Sequence, residues 1–362
     1  MLAYYSGNTA KRHGITRPPY IDKGKMMIRG FKRKLPAVLA AAMLLAGGLA
    51  HADDKPVRWR ASGSFPAKHS TSVAMETFKK EVSRLSNGTI RVDLFPDNVL
   101  GGALEQVDQV RTNQIQMAWG SLGFFDKLVP SFSAAVLPFS ANSAAQAACE
   151  MDGPLTDYLA TRASEKGILL LGMAQLGARH VTNNRRPIKT VADMKGLKIR
   201  TLPGEAWLLT FRALGTNPTP IDINELYQAL QQGVVDGQEN PYDNMLVRKF
   251  DEVQKYLSNT GHFFDWAGYI VNKQAFDALS PAQQSAVKEA VAIAVKQQRE
   301  ISERENATAR DALIKAGMQY DEIPPAELAK FREATQSVYK AVRVSLGDEV
   351  MNIAEDAIKR CQ

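Results

Sequence analysis

The sequence predicts an α/β protein of two lobes with one long helix lying across both. Three observations carry this expectation. Strand-like and helix-like stretches alternate from Val57 onward, a rhythm that builds a parallel sheet with helices on its faces. The rhythm starts twice, at Val57 and again at Ile168, which implies two α/β units in succession with a cleft between them. Finally, Pro281 to Ala316 contains no Gly and no further Pro. At 1.5 Å per residue that stretch reaches roughly 54 Å, more than one small domain.

The first unit opens on Val57-Arg58-Trp59-Arg60-Ala61, a short alternating strand, followed by a Gly/Ser/Pro loop at Ser62 to Pro66. Between Ser70 and Leu85, the residues Val73, Ala74, Phe78, Val82 and Leu85 recur at helical spacing. Asn87-Gly88 turns the chain into a strand over Ile90 to Phe95; a helix over about 102–112 and a strand over Ile115 to Trp119 follow. In the second unit, Ile168-Leu169-Leu170-Leu171-Gly172-Met173 has the continuous apolar character of a fully buried strand. A short helix at Val191 to Lys195, a strand at Leu197 to Arg200, and helices over roughly 205–214 and Asn224 to Gln232 come next. Val234 to Gly237 leads into Gln238-Glu239-Asn240-Pro241, and another strand is expected at Ala267 to Val271. The long helix has complete end signals: Ser280 as N-cap, Gln283 completing a capping box, Pro281 at the first helical position and Gly317 just past the end. It lacks a sustained heptad, which argues against a coiled coil. The expected division is 53–176 plus 266–304 for lobe I and 177–265 plus 305–362 for lobe II, with 281–316 crossing both.

The chain has 362 residues and a formal charge of +7. Residues 1–52 hold nine Lys and Arg against one acid, Asp22, leaving 36 basic against 37 acidic residues in 53–362. The basic excess therefore belongs to a leader, and a nucleic-acid partner is not expected. The leader reads as a secretory signal peptide. Arg29 and Lys32 to Lys34 form its positive region, Leu35 to Leu49 its apolar region, and Ala50-His51-Ala52 a cleavage site with the cut after Ala52. A membrane anchor would need about 20 apolar residues; this run is shorter and contains Pro36, Gly47 and Gly48. Residues 1–25 are unusual for such a leader, and Met26 or Met27 would make a better start. No later apolar run approaches membrane length, so the exported protein is expected not to be membrane-embedded. Cys149 and Cys361, its only cysteines, either pair in an oxidising compartment or remain unrelated thiols; their spacing does not decide.

Outside the leader only His69, His180 and His262 are present, in no H-x-x-x-H or C-x-x-C array. There is no phosphate-binding G-x-x-x-x-G-K-[ST] loop, no dinucleotide fingerprint and no G-x-S-x-G elbow. Neither a metal nor another cofactor is expected, and a non-enzymatic role is favoured. The alternative from another class is a periplasmic enzyme using scattered carboxylates on a carboxylate substrate.

Three blocks then matter together: Asp193-Met194-Lys195-Gly196-Leu197-Lys198-Ile199-Arg200, preceded by Gly177-Ala178-Arg179 and Pro187-Ile188; Leu214-Gly215-Thr216-Asn217-Pro218 with Glu225 to Gln231; and Gly233-Val234-Val235-Asp236-Gly237-Gln238-Glu239-Asn240-Pro241. With Phe95-Pro96, Leu100-Gly101 and Leu137-Pro138-Phe139, they resemble the solute-binding subunit of tripartite ATP-independent periplasmic (TRAP) transporters, of the dicarboxylate-binding-protein type. The resemblance covers essentially all of 57–360. It implies a periplasmic-binding-protein-like fold that closes around a small-molecule carboxylate. It also implies a periplasmic location and delivery to the small and large membrane subunits of an ion-driven permease. A monomer is expected.

The same resemblance implies site residues. Arg200 matches the Arg that salt-bridges the ligand carboxylate, a planar fork suited to bidentate pairing. Asn240 matches an amide donor to the same group, and Arg179 a second anchor used by some members. Ser64 and Phe65 lie in the loop after the first strand, where a ligand contact is usual. His69 is a nearby donor or simply a helix-start residue. Ser121 stands where sialic-acid-binding relatives carry Glu, which argues against sialic acid. Glu105 either binds hydroxyls or serves the helix dipole alone. Trp207 is the favoured pocket wall, Trp266 either a wall or core, and Asp265 an acceptor for ligand hydroxyls. The leading ligand is a sugar acid such as a hexuronate; a C4-dicarboxylate or a small hydroxy or aromatic acid is the alternative.

Overall fold

Two strands far longer than the sequence suggested set the architecture. The computed structural model describes residues 54–362; the leader, its cleavage site and the choice of start lie outside the described residues. The chain begins β1 (Val57–Gly63), α1 (Ser70–Leu85), β2 (Ile90–Phe95), α2 (Ala103–Arg111) and β3 (Met117–Ser121). Helices α3 (Ala144–Met151) and α4 (Pro154–Glu165) lead to β4 (Ile168–Asn183). Then come α5 (Val191–Met194), β5 (Lys198–Thr201), α6 (Glu205–Ala213), β6 (Asn217–Pro220), α7 (Ile223–Gln231), β7 (Gly237–Asn240) and α8 (Tyr242–Val247). The second long strand is β8 (Tyr256–Asn272), followed by α9 (Lys273–Asp277), α10 (Pro281–Lys315) and β9 (Gln319–Glu322). Helices α11 (Pro325–Ala334), α12 (Gln336–Leu346) and α13 (Asp348–Cys361) complete it.

The strands form one sheet in the order β2-β1-β3-β8-β4-β7-β5-β6, with β9 beside β8. Within each lobe the pairing is parallel, β1 with β2 and β3, and β5 with β6 and β7. At the joins it is antiparallel: β8 with β3 and β4, and β4 with β7. The two expected parallel sheets are thus halves of one mixed sheet. β3 pairs with the Ala267–Val271 end of β8, and β7 with the His180–Asn183 end of β4. The β4–β8 ribbon therefore carries one lobe at each end. Its register shifts three times, between Leu170 and Gly172, Gln175 and Gly177, and Arg179 and Val181, bulges that bend and twist the ribbon.

Sequence reading stopped at Met173 and began at Ala267 for a physical reason. The rest of both strands mixes apolar residues with many buried polar ones, Gln175, Arg179, His180, Thr182 and Asn183 on one and Ser258, Thr260, His262 and Asp265 on the other. Buried polar residues interspersed in this way break the apolar period by which a strand is detected.

The long helix follows expectation closely. Ser280 accepts from the Gln283 N–H, Gln283 returns the bond to the Ser280 N–H, and Gly317 has φ +109°. α10 packs on α1, then β4, then α8. Gln298, fully buried, binds both backbone groups of Gln175, and Asn306 binds the Leu176 carbonyl. The helix therefore clamps the bulge in the middle of the ribbon.

One apolar core lies between α1, β1 and α10 around Phe78, Trp119 and Val291. A second surrounds Leu226, Met245 and Leu313. The largest joins Phe132, Leu159, Phe211, Phe331 and Met351. Although it belongs to the segment 305–362, α13 packs on α3 and α4. Cys149 and Cys361 form a disulfide there, with Cα atoms 5.8 Å apart. Among the described residues no helix is long and apolar enough to cross a membrane, and no group of three or more His, Cys, Asp and Glu is placed to hold a metal ion.

Candidate functional site

The ends of β3, β5 and β7, the middle of the ribbon and the loop between β1 and α1 meet around a cavity in the cleft. Seven sequence-predicted residues line it: Ser64, Phe65, His69, Ser121, Arg179, Arg200 and Asn240, with Asp265 as an eighth. Leu176, Leu202, Phe124 and Ile223 supply apolar wall.

Arg200 comes from β5, whose neighbour β7 is drawn close to β4 by Gly237. A Cβ at Gly237 would sit inside van der Waals contact of the Thr182 carbonyl oxygen. The Arg200 Nε donates to the Ile221 carbonyl at 2.8 Å. Both terminal nitrogens are buried without a partner. Burial pushes its pKa down to about 10, so the side chain stays cationic at neutral pH. A buried guanidinium with two free donor nitrogens facing a cavity is a receptor for an anion.

Arg179 is placed very differently. Its Nη1 donates to Asp265 Oδ2 at 2.6 Å and its Nη2 to Glu239 Oε1 at 2.9 Å, while Nε binds the other Glu239 oxygen. Nη2 also reaches the Glu239 carbonyl and Asn240 Oδ1. Burial opposes the charge, but Glu239 and Asp265 outweigh it and raise the Arg179 pKa. Burial would lift Glu239 in turn, yet Arg179 holds it below the usual carboxylate range. His262 Nε2 lies 3.1 Å from Glu239 and its Nδ1 2.7 Å from Thr260 Oγ1; burial lowers its pKa. The Asn240 amide is turned into this network. Its Oδ1 accepts from Arg179 and Asn244, and its Nδ2 donates to Gln238.

The other lobe supplies Ser121, whose hydroxyl donates to Asp265 Oδ1 at 2.9 Å. It also supplies His69, which is the helix-start residue foreseen and lines the cavity. Nδ1 caps α1 by accepting the Thr71 N–H, while the ring stacks on Phe65 with centroids 4.4 Å apart. Its Nε2 lies 3.5 Å from Asp243 Oδ2. Burial drives the His69 pKa down to about 3 and Asp243 up to about 7.

One expectation is corrected, and two residues left open between two roles, Trp266 and Glu105, fall outside the cavity lining. Trp207 is no pocket wall: it is fully buried in the core, packed against Gly123, Gly204 and Phe263. Trp266 is also core, with Arg299 over its ring. Residues along β8 alternate in direction, so Asp265 faces the cavity and its neighbour cannot. Glu105 is exposed in the first turn of α2, folded over Gly101 and bound to Gln109.

Sequence reasoning missed Glu239 as the partner of Arg179, though it stood within a quoted block, and missed the polar bridges over the cleft. Asp222 accepts from Ala103 N and Asn98 Nδ2, and Arg248 donates to the Ser64 carbonyl and Asp97. Asp222 just before a helix carries an N-cap signal, but nothing in the sequence shows that it reaches a second helix.

A closed two-lobed cleft with one unpaired buried cation defines an anion-binding receptor. Residues 61–344 match the family described as bacterial extracellular solute-binding protein, family 7 (DctP), and the chain belongs to that family of solute-binding proteins. A solute-binding protein of Verminephrobacter eiseniae is 38% identical over 214 residues, 59% of this chain and 64% of that protein's length. The 2,3-diketo-L-gulonate-binding periplasmic protein YiaO of Escherichia coli is 34% identical over 250 residues, 69% of this chain and 76% of that protein. Among solved structures, the sugar acid binding protein DctPAm of Advenella mimigardefordensis, in complex with galactonate, superposes with a TM-score of 0.82 at 28% identity, covering 85% of this chain and 99% of that one.

Proposed function

We propose that this protein is a periplasmic receptor that captures a sugar acid, a hexuronate or a related aldonate, in the cleft and delivers it to the small and large membrane subunits of a TRAP permease. The observation that carries the proposal is Arg200, whose terminal nitrogens are buried and unpartnered. The ligand carboxylate takes up that fork. Asp265, Ser121 and His69 meet hydroxyls, and Phe65 and Leu176 meet the C–H faces. The sugar-acid ligands of YiaO and DctPAm support the ligand class. Ligand contacts made in both lobes favour the closed state, so capture is a population shift.

The test is a thermal-shift screen of organic acids on the purified protein, with mass spectrometry of the ligand afterwards. A sugar acid should raise the Tm and be recovered intact, and Arg200→Ala should abolish the shift. Conversion of the ligand would replace the receptor by the enzyme reading. Near wild-type binding by Arg200→Ala would sink the site assignment.

A further inference from the structure

We infer that Asp265 restricts this site to ligands carrying a single carboxylate, because it commits the second arginine. The inference rests on the reading of the cleft as an organic-acid site and names its substrate class: polyhydroxy monocarboxylates, against dicarboxylates of the same skeleton.

Four charged side chains meet at the cavity, Arg179, Arg200, Glu239 and Asp265, each almost wholly buried. Arg179 gives donors to both Glu239 oxygens, to Asp265, to the Glu239 carbonyl and to Asn240. Asp265 in turn receives the Ser121 hydroxyl, the Trp266 N–H at 2.8 Å and Arg179. Three donors aimed at one carboxyl group fit the ionised form, which only accepts. Arg179 with its two acids leaves one net negative charge, and Arg200 cancels it. A first ligand carboxylate has the free nitrogens of Arg200. A second has no cation: His69 and His262 are held neutral by burial, Asp243 cannot add positive charge, and Arg248 does not line the cavity and is paired with Asp97. It would be buried beside Asp265 without a partner, the costliest arrangement for a charge. A neutral hydroxyl at the same place donates to Asp265 instead.

Calorimetric titration of the whole protein with matched pairs tests this: gluconate against glucarate, and galactonate against galactarate. Each pair is open-chain with the same hydroxyls at C2 to C5 and differs only in carrying a hydroxymethyl group or a second carboxylate at C6. The wild type should prefer the monoacid by at least about 30-fold, and Asp265→Asn should shrink that ratio by about tenfold or more by freeing part of Arg179. If Asp265→Asn does not fold, Glu239→Gln removes the other acid and should shrink the ratio in the same direction. A wild type that takes a diacid within a few-fold of its monoacid, or more tightly, overturns the inference while leaving the receptor standing. An unchanged ratio in a folded variant also overturns it. A wild type that binds neither member of either pair, nor any other organic acid, overturns the receptor reading itself.

Discussion

The Asp222 carboxylate, at the head of α7, accepts the backbone N–H of Ala103, the first residue of α2 in the other lobe, at 3.1 Å. Its second oxygen caps its own helix through the Asn224 N–H at 3.0 Å. One side chain thus caps two helices from opposite sides of the cleft mouth. The preceding residue, Ile221, holds the Nε of Arg200. The latch and the ligand anchor are therefore adjacent in the chain, and whatever fixes one orients the other.

Removing the latch should weaken capture more than it weakens the fold. A helix cap is worth about 1 kcal/mol, and losing the interlobe one raises the energy of the closed state. Asp222→Ala is expected to bind the sugar acid roughly fivefold less tightly, with the ligand-free Tm lower by only a few degrees. Calorimetry beside differential scanning calorimetry would show it; unchanged affinity would mean that the bridge adds nothing to closure.

Arg200→Lys keeps the charge but loses the planar fork and the Nε bond to Ile221. An ammonium cannot make both contacts at once, so affinity should fall by roughly 10- to 100-fold, in line with about 1.5–3 kcal/mol for a charge-assisted bond. Retention of full affinity would show that a point charge suffices.

Asp243 predicts a pH dependence with a definite sign. Its folded pKa is raised to about 7 by burial, whereas the unfolded group titrates near 4. Between those values the folded chain holds a proton that the unfolded chain has released. Its contribution is therefore complete at low pH and is lost as pH rises towards 7, by on the order of 4 kcal/mol at most. Asp126, raised to about 6, and Glu150, raised to about 7, act in the same direction. His69 and His262, whose pKa values burial lowers, act in the opposite direction, so the reading is differential: in urea unfolding, Asp243→Asn should shift the difference between pH 5 and pH 8 in favour of pH 8 relative to the wild type. An unchanged difference in the variant would assign the dependence to other groups.

Trp207→Leu separates core from pocket. As a fully buried core residue, its truncation should cost about 2–4 kcal/mol, read as a lower urea midpoint, while the folded fraction binds ligand as before. A selective loss of affinity at unchanged stability would return Trp207 to the pocket wall.

How much was legible follows from what each part of the molecule is made of. The α10 helix could be read almost to the residue because Ser280, Pro281, Gln283 and Gly317 are local signals. Arg200, Asn240 and Arg179 could be placed because they sit in long blocks of fixed spacing. The state of Arg179 could not, since its partners Glu239 and Asp265 lie 60 and 86 positions away, and nothing local marks such a pairing. Trp207 failed for a simpler reason. It lies in the first turn of α6, and whether that turn faces cleft or core depends on packing against Gly123 and Phe263, which are remote in the chain.

The disulfide has a consequence for the integrity of the chain. Cys149 and Cys361 are 212 positions apart, so the bond closes a covalent ring that contains the ribbon, α10 and Arg200. The strands and helices before α3 hang from that ring as a tail. A protease cut anywhere inside the ring opens a strand of it without releasing a piece. A nicked receptor therefore stays one molecule until a reductant reaches the bond, and fragments appear on a gel only after reduction.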